Sequence, residues 1–199
     1  MSVITAKRSA SWLAVLVFVT ALLSARSIAI LLRDLGLSSG LLAQRLLLPA
    51  AVATLLYIVV RFWLWALARR GPGSLLLLLA AILGLAAALY PVSQLPTFVG
   101  VSDSLKPMLP YGDAVLAVAA MLLLSTGLLR SRLAPPSVAA LGGVAAVLFA
   151  ARMFLSGTAL TIVGGLGSLI ELAFLVALGV SLLRFSRSDV DEAENHAVT

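Results

Sequence analysis

The sequence predicts an all-α polytopic membrane bundle of six transmembrane helices, with both termini in the cytoplasm. Three observations predict it. Hydrophobic residues make up 62% of the 199 residues and charged residues only 11%, the apolar residues fall into six long runs, and basic pairs lie before the first run and after the second, fourth and sixth. A water-soluble globule needs more polar surface, whereas helices in lipid need apolar residues on their outer faces as well. Lipid is therefore the expected solvent for most of the chain.

Six segments have the length of membrane helices, since about 20 residues at 1.5 Å each span the hydrocarbon core. They cover about residues 11–32, 41–68, 74–90, 114–129, 137–155 and 160–183. Breakers separate them: Gly71-Pro72-Gly73 follows the second helix, Pro91 ends the third, and Pro135-Pro136 opens the fifth. Residues 1–187 are thus predicted to form one transmembrane domain, and the acidic cytoplasmic tail 188–199 is predicted to be disordered.

The first apolar segment has an alternative interpretation as a secretory signal peptide. Lys7 and Arg8 precede it, and the small residues Ser24 and Ala25 lie within it, which are features of a cleavable leader. We favour a retained helix because the apolar pattern resumes after Arg26. Cleavage would leave five helices with unchanged orientations.

Basic residues orient the predicted bundle, because short cytoplasmic loops are enriched in Lys and Arg. Four basic pairs fall on one side: Lys7/Arg8, Arg69/Arg70, Arg130/Arg132 and Arg184/Arg187. The other side has only Arg33 and Lys106, each near an aspartate. This distribution predicts a protein of the cell (inner, cytoplasmic) membrane with both termini inside. It also predicts that Phe62, Trp63 and Trp65 form an aromatic anchor in the inner leaflet.

The outer connection, residues 91–113, is too apolar for a freely solvated loop. Its prolines and glycines break any long helix, so we expect an irregular segment with at most one short helix. An interfacial loop without a ligand is one interpretation, and a lid over a binding site is the other.

Five ionisable residues fall within the predicted spans, where charge is costly and therefore marks functional candidates. They are Arg26, Arg45, Arg61, Arg152 and Glu171. Arg61 is predicted to extend its side chain to the cytoplasmic headgroups and to have no other role. The other four lie in the outer half and are the candidate ligand-binding residues. Glu171, near the midplane, must be protonated or meet a cation.

Glu171 is predicted to face the interior because Gly164, Gly167 and Ser168 precede it on the same helical face. Small residues on one face allow another helix to pack closely. Two interpretations stay open. In one, Glu171 and an arginine form a buried bridge that fixes helix register. In the other, three arginines and one glutamate form a net positive pocket, open to the outer side, for an anionic group.

Composition excludes several classes of chemistry. The chain has no cysteine and one histidine, His196 in the tail, so haem, iron–sulfur clusters and zinc are not expected, and no metal or cofactor is predicted. Nucleotide-binding glycine motifs are absent and no serine has an imidazole base in the membrane, which predicts a protein that is not an enzyme. The scattered basic residues argue against nucleic acid as a partner. Two lysines and one asparagine against twelve arginines indicate a GC-rich, prokaryotic genome.

The leading hypothesis is a multi-pass membrane protein that binds or transports a small anionic or amphiphilic ligand from the outer side. Its site would consist of Arg26, Arg45, Arg152 and Glu171. The alternative is a non-catalytic accessory or assembly subunit of a larger membrane complex, whose glycine-rich faces meet partner helices. These faces contain Gly142, Gly143, Gly164 and Gly167. A lipid-modifying membrane enzyme acting on phosphate-bearing substrates is the third hypothesis.

Overall fold

The computed structural model describes residues 3–24, 47–69, 71–93 and 112–187, and this part of the chain contains helices and no strand. Its six α-helices are α1 (Val3–Ser24), α2 (Leu47–Ala68), α3 (Ser74–Ser93), α4 (Gly112–Ser131), α5 (Pro136–Ala151) and α6 (Gly157–Arg187). A short 3₁₀ turn, Arg152–Phe154, follows α5. The predicted all-α class is confirmed for these residues. The tail 188–199 and most of the outer connection lie outside them.

The helices pack in chain order and close into a ring. Each helix contacts its neighbours in the sequence, and α6 returns to contact α1. The connections that follow α2, α4 and α5 are short, so each joins two antiparallel helices. The core consists mainly of leucine, alanine and valine, and its largest fully buried side chains include Leu13, Leu64, Leu77, Leu124 and Phe174.

The first and the last helix extend beyond bounds that the sequence predicts. The first begins at Val3 instead of about residue 11, so that Lys7 and Arg8 belong to it, and α6 covers Gly157–Arg187 instead of about 160–183. Hydropathy marks only the apolar part of a helix. A backbone that is already helical continues into polar residues at little cost until a breaker stops it. The predicted stretches 25–32 and 41–46 lie outside the described residues.

The third helix does not stop at Pro91, as the sequence predicts, but continues to Ser93. A proline removes one backbone donor and crowds the carbonyl four residues before it. Here only the last turn of α3 is affected, and the loss of a single donor does not end the helix. The predicted end was therefore wrong by three residues.

The prolines before α5 have the predicted role. Pro136 is the first residue of the helix, and Pro135 has an extended backbone with φ −64° and ψ 155°. The fixed φ of proline suits the first helical turn, where its missing N–H would have no intrahelical partner. The predicted Gly-Pro-Gly break is also found, because the chain reverses between α2 and α3 at Gly73, which has φ 93°.

Three helical segments are long and apolar enough to cross a membrane. They are Ala114–Ser131, Pro136–Phe154 and Gly157–Ser186. The remaining described helices contain shorter apolar stretches, Ser9–Ser24, Val52–Ala68 and Ser74–Ala88. Large apolar side chains face outward on several helices and are more than half exposed, among them Leu22, Leu55, Leu75, Val147 and Phe154. Outward-facing apolar side chains are what helices surrounded by lipid require.

Candidate functional site

One charged residue is buried in the part of the chain that the structure describes. It is Arg61 of α2, which is 6% exposed. It follows Tyr57 by one helical turn and precedes Leu64 by another, so the three residues share one face of α2. Leu64 is fully buried in the core of the ring. The prediction that Arg61 reaches the cytoplasmic headgroups is therefore wrong.

The direction of helical side chains explains this error. Side chains on a helix point back toward its N-terminus. Arg61 lies seven residues before Ala68, the last residue of α2, which is about 10 Å along the axis. Its side chain extends away from that end and farther into the bundle. The guanidinium thus points away from the end of α2 that precedes Arg69.

The guanidinium of Arg61 has two close partners. Its central carbon lies 4.3 Å from the centroid of the Tyr57 ring, where the negative face of the ring attracts the cation. Its Nη1 donates a hydrogen bond of 3.4 Å to the carbonyl oxygen of Ala80 on α3. The buried charge therefore joins α2 to α3.

Gly84 makes room for this guanidinium. A Cβ placed on Gly84 would overlap Nη1 of Arg61 and would lie 3.0 Å from its central carbon. Gly84 is itself buried in the middle part of α3. The glycine therefore allows the arginine to lie inside the ring, and the two residues are sterically coupled.

The Nε atom of Arg61 is buried and has no hydrogen-bond partner. Buried polar atoms in folded proteins are paired in the large majority of cases, and a buried donor without a partner is destabilising. In a low-dielectric interior the effect is larger, because this donor belongs to a charged group. The site thus has an unused donor that a bound acceptor would satisfy.

Tyr57 connects the site to α4. Its hydroxyl lies 3.2 Å from the sulfur of Met121 on α4 and donates to it, although a thioether is a weak acceptor. Helices α2 and α4 are separated by α3 in the ring, so this contact crosses its interior. Tyr57 and Arg61 therefore belong to the centre of the bundle.

Glu171 lies at the middle of α6, 14 residues after Gly157 and 16 before Arg187. Its side chain is partly buried, and both Arg61 and Tyr57 are close enough to interact with it electrostatically. Arg61 is thus a described arginine whose charge reaches this carboxyl group. The sequence had paired Glu171 with an arginine of the outer half.

Arg152 occupies a different position from Arg61. It is exposed, in the 3₁₀ turn after α5, and its Cδ would lie 3.2 Å from a Cβ on Gly164 of α6. Gly164 precedes Glu171 by seven residues on the same helical face, about 10 Å along the axis. Arg152 thus lies on the same face of α6 as Glu171, but nearer the N-terminal end of that helix. Arg26 and Arg45 lie outside the described residues.

The glycine-rich faces are mostly covered by this chain itself. A Cβ on Gly142 would overlap Ser125 of α4, and one on Gly167 would lie 3.2 Å from the ring of Phe149. Gly164 is covered by Arg152, as described above. Gly143 has no atom within 4 Å of its missing Cβ. Of the four glycines considered for partner helices, Gly143 is the one with open space.

No cluster of three or more histidine, cysteine, aspartate or glutamate residues occurs in the part of the chain that the structure describes. Comparisons with protein-family models, curated proteins and solved structures found no match. Function therefore has to be inferred from the residues of the bundle.

Sequence reasoning missed Arg61, Tyr57 and Gly84 as parts of one site. The signal was present in part, because Arg61 stands on the same helical stripe as Leu64 and Ala68 and its stem points toward the centre of the bundle. The position of Gly84 opposite the guanidinium depends on how α2 and α3 pack, which a hydropathy pattern does not specify.

Proposed function

We propose that this chain is an integral membrane protein with six spans and both termini on the cytoplasmic side, and that it binds or transports a small anionic or amphiphilic ligand from the outer side. The membrane would be the cell (inner) membrane. Three long apolar helical segments and the four basic pairs at one side support this topology.

The observation that carries the proposal is the buried Arg61, whose Nε has no partner. A charged group within a bilayer is costly and marks a functional site by default. A structural role alone would favour a fully paired guanidinium, because half-satisfied polar networks destabilise a core. An anionic ligand would supply the missing acceptor and neutralise the charge.

Glu171 fits this role as a neighbour of the binding site rather than as the ligand's direct partner. As a carboxylate it would compete with an anionic ligand for Arg61, and as a neutral acid it would leave the arginine free to bind. Arg152, and with it the predicted Arg26 and Arg45, would attract the ligand at the outer end. The proposed site thus contains the four residues expected from the sequence and adds Arg61.

The direction of Arg61 supports access from the outer side. Its side chain points along α2 toward the N-terminal end of that helix, which is the predicted outer end. A ligand that enters between the outer ends of the helices would meet the guanidinium group before the rest of the Arg61 side chain. The cytoplasmic end of the ring would have to open for transport.

Thermal unfolding of the purified protein with three probes, succinate, octanoate and inorganic phosphate, tests the proposal. At 100 times its dissociation constant a ligand stabilises the folded state by about 2.7 kcal/mol, so at least one probe should raise the unfolding temperature. Arg61→Met and Arg26→Ala should abolish the increase, and Glu171→Gln should change it.

Arg69→Met is the matched control, because it removes an exposed arginine from the end of α2. It should respond to the probes as the wild type does. An increase that survives in Arg61→Met would refute the site. If no probe raises the unfolding temperature, small carboxylates and phosphate are refuted as ligands. If in addition the Arg61 and Glu171 variants fail to fold, the buried-bridge interpretation is favoured.

A further inference from the structure

A groove of about 580 Å³ opens at the end of the bundle opposite to the proposed ligand entrance. It lies where α4 turns into α5 and where α6 approaches its end. Apolar side chains of Leu129, Leu133 and Phe185 line it, together with the guanidinium-bearing Arg132 and Arg184. No acidic residue is among the lining residues that the structure describes. The groove thus combines an apolar wall with two positive charges.

Arg132 has a backbone conformation that is unusual for its residue type. Its φ is 55°, in the left-handed region, and the other described residues with positive φ are Gly73 and Gly157. It directly follows Ser131, the last residue of α4, at the position where helices most often have a glycine. A glycine would form this turn without the steric strain of a Cβ. The conformation of Arg132 therefore raises the question of what its side chain contacts.

Both arginines of the groove are exposed, so their guanidinium groups are accessible to a ligand. Ser181, which also lines the groove, donates its hydroxyl to the carbonyl of Ala177 at 2.8 Å within its own helix. The positive charge of the groove is therefore carried by Arg132 and Arg184. Planar guanidinium groups bind phosphate oxygens in a bidentate geometry, which makes arginine the preferred residue for phosphate recognition.

We propose that this groove binds the phosphate headgroup of an anionic membrane lipid. Arg132 and Arg184 contact the phosphate, and Leu129, Leu133 and Phe185 contact the first part of the acyl chains. Basic pockets between membrane helices on the cytoplasmic side bind anionic headgroups in this way. The proposal requires that α4, α5 and α6 cross a membrane, and it depends neither on the orientation of the protein nor on a ligand at Arg61.

Lipid binding is measured by native mass spectrometry of the full-length, detergent-purified protein, titrated with phosphatidylglycerol and with phosphatidylcholine. The wild type should bind phosphatidylglycerol at least about tenfold more tightly than phosphatidylcholine. Both lipids present the same phosphodiester, but the quaternary ammonium of phosphatidylcholine neutralises its charge and is repelled by Arg132 and Arg184. Arg132→Gly and Arg184→Gln should each remove most of this preference. Inorganic phosphate and glycerol 3-phosphate, added as soluble competitors at equal concentration, should not displace the lipid.

Arg130→Gln is the matched control, because Arg130 belongs to the last turn of α4 but packs toward Gly73, with its Cβ 3.0 Å from the position of a Cβ there. It removes the same charge from the same turn without lining the groove. Its lipid preference should equal that of the wild type. An equal loss in Arg130→Gln would overturn the proposal, because the preference would then reflect total charge.

Arg132→Gly also separates binding from folding. Because glycine relieves the strained φ, this variant should unfold at the same temperature as the wild type or at a higher one, while losing the lipid preference. Retention of the preference in both Arg132→Gly and Arg184→Gln would refute the proposal. Displacement of the lipid by free phosphate would also refute it, by assigning the groove to a soluble phosphate compound.

Discussion

Replacing Gly84 with alanine should destabilise the protein only when Arg61 is present. A glycine-to-alanine change inside a helix normally stabilises by about 0.5–1 kcal/mol, because it reduces the entropy of the unfolded chain. Here the added methyl group overlaps Nη1 of Arg61 and lies 3.0 Å from its central carbon, and overpacking a core costs about 1–3 kcal/mol. The expected net effect is therefore a loss of stability between about zero and 2.5 kcal/mol.

A double-mutant cycle isolates this contact. In an Arg61→Ala background the obstructing guanidinium is gone, so Gly84→Ala should stabilise by about 0.5–1 kcal/mol. The coupling energy between the two sites should equal the overpacking cost of about 1–3 kcal/mol, which lies within the range measured for residues in contact. Equilibrium unfolding in mixed micelles, followed by tryptophan fluorescence, measures all four proteins. The same stabilisation by Gly84→Ala in both backgrounds would refute the position assigned to Arg61.

Two further predictions use close contacts inside the ring. Gly142→Ala should destabilise the protein by about 1–3 kcal/mol, because its methyl group would overlap Ser125. Gly143→Ala is the control and should be neutral or stabilising, because no atom lies within 4 Å of the added Cβ. Equal effects of the two changes on unfolding in micelles would contradict the packing of α5. Trp63→Phe should lower the free energy of unfolding by about 0.5–1.5 kcal/mol, because the indole Nε1 donates a 2.8 Å hydrogen bond to the hydroxyl of Ser9. Ser9→Ala should lower it by a similar amount. If the losses of the two single variants add up in the double variant, the hydrogen bond is not formed.

The positions of the helices could largely be predicted from the sequence, because apolar runs and backbone breakers act locally. Pro135-Pro136 opens α5 as expected, since the fixed φ of proline does not depend on the rest of the fold. The ends were less predictable. Pro91 lies inside α3, because a single missing donor does not end a helix that neighbouring helices support.

The arrangement of charges could be predicted only in part. Glu171 was expected either to be protonated or to meet an arginine of the outer half, and this stays a prediction; the described arginine whose charge reaches it is Arg61. Depth alone suggested that Arg61 belongs to the headgroup layer, but depth does not give the rotation of a helix or the direction of its side chains. The strained Arg132 could not be predicted either, since a positive φ depends on how α4 and α5 are joined.

The stability of Arg61→Met without any ligand distinguishes a ligand-binding role of the buried charge from a structural one. If the buried charge is present for a ligand, replacing it with a flexible apolar side chain should leave the free energy of unfolding unchanged or raise it by about 1–3 kcal/mol, because the change removes a buried donor that has no partner. A loss of about 3–5 kcal/mol would contradict the claim, because that is the effect of breaking a buried ion pair that holds a fold together.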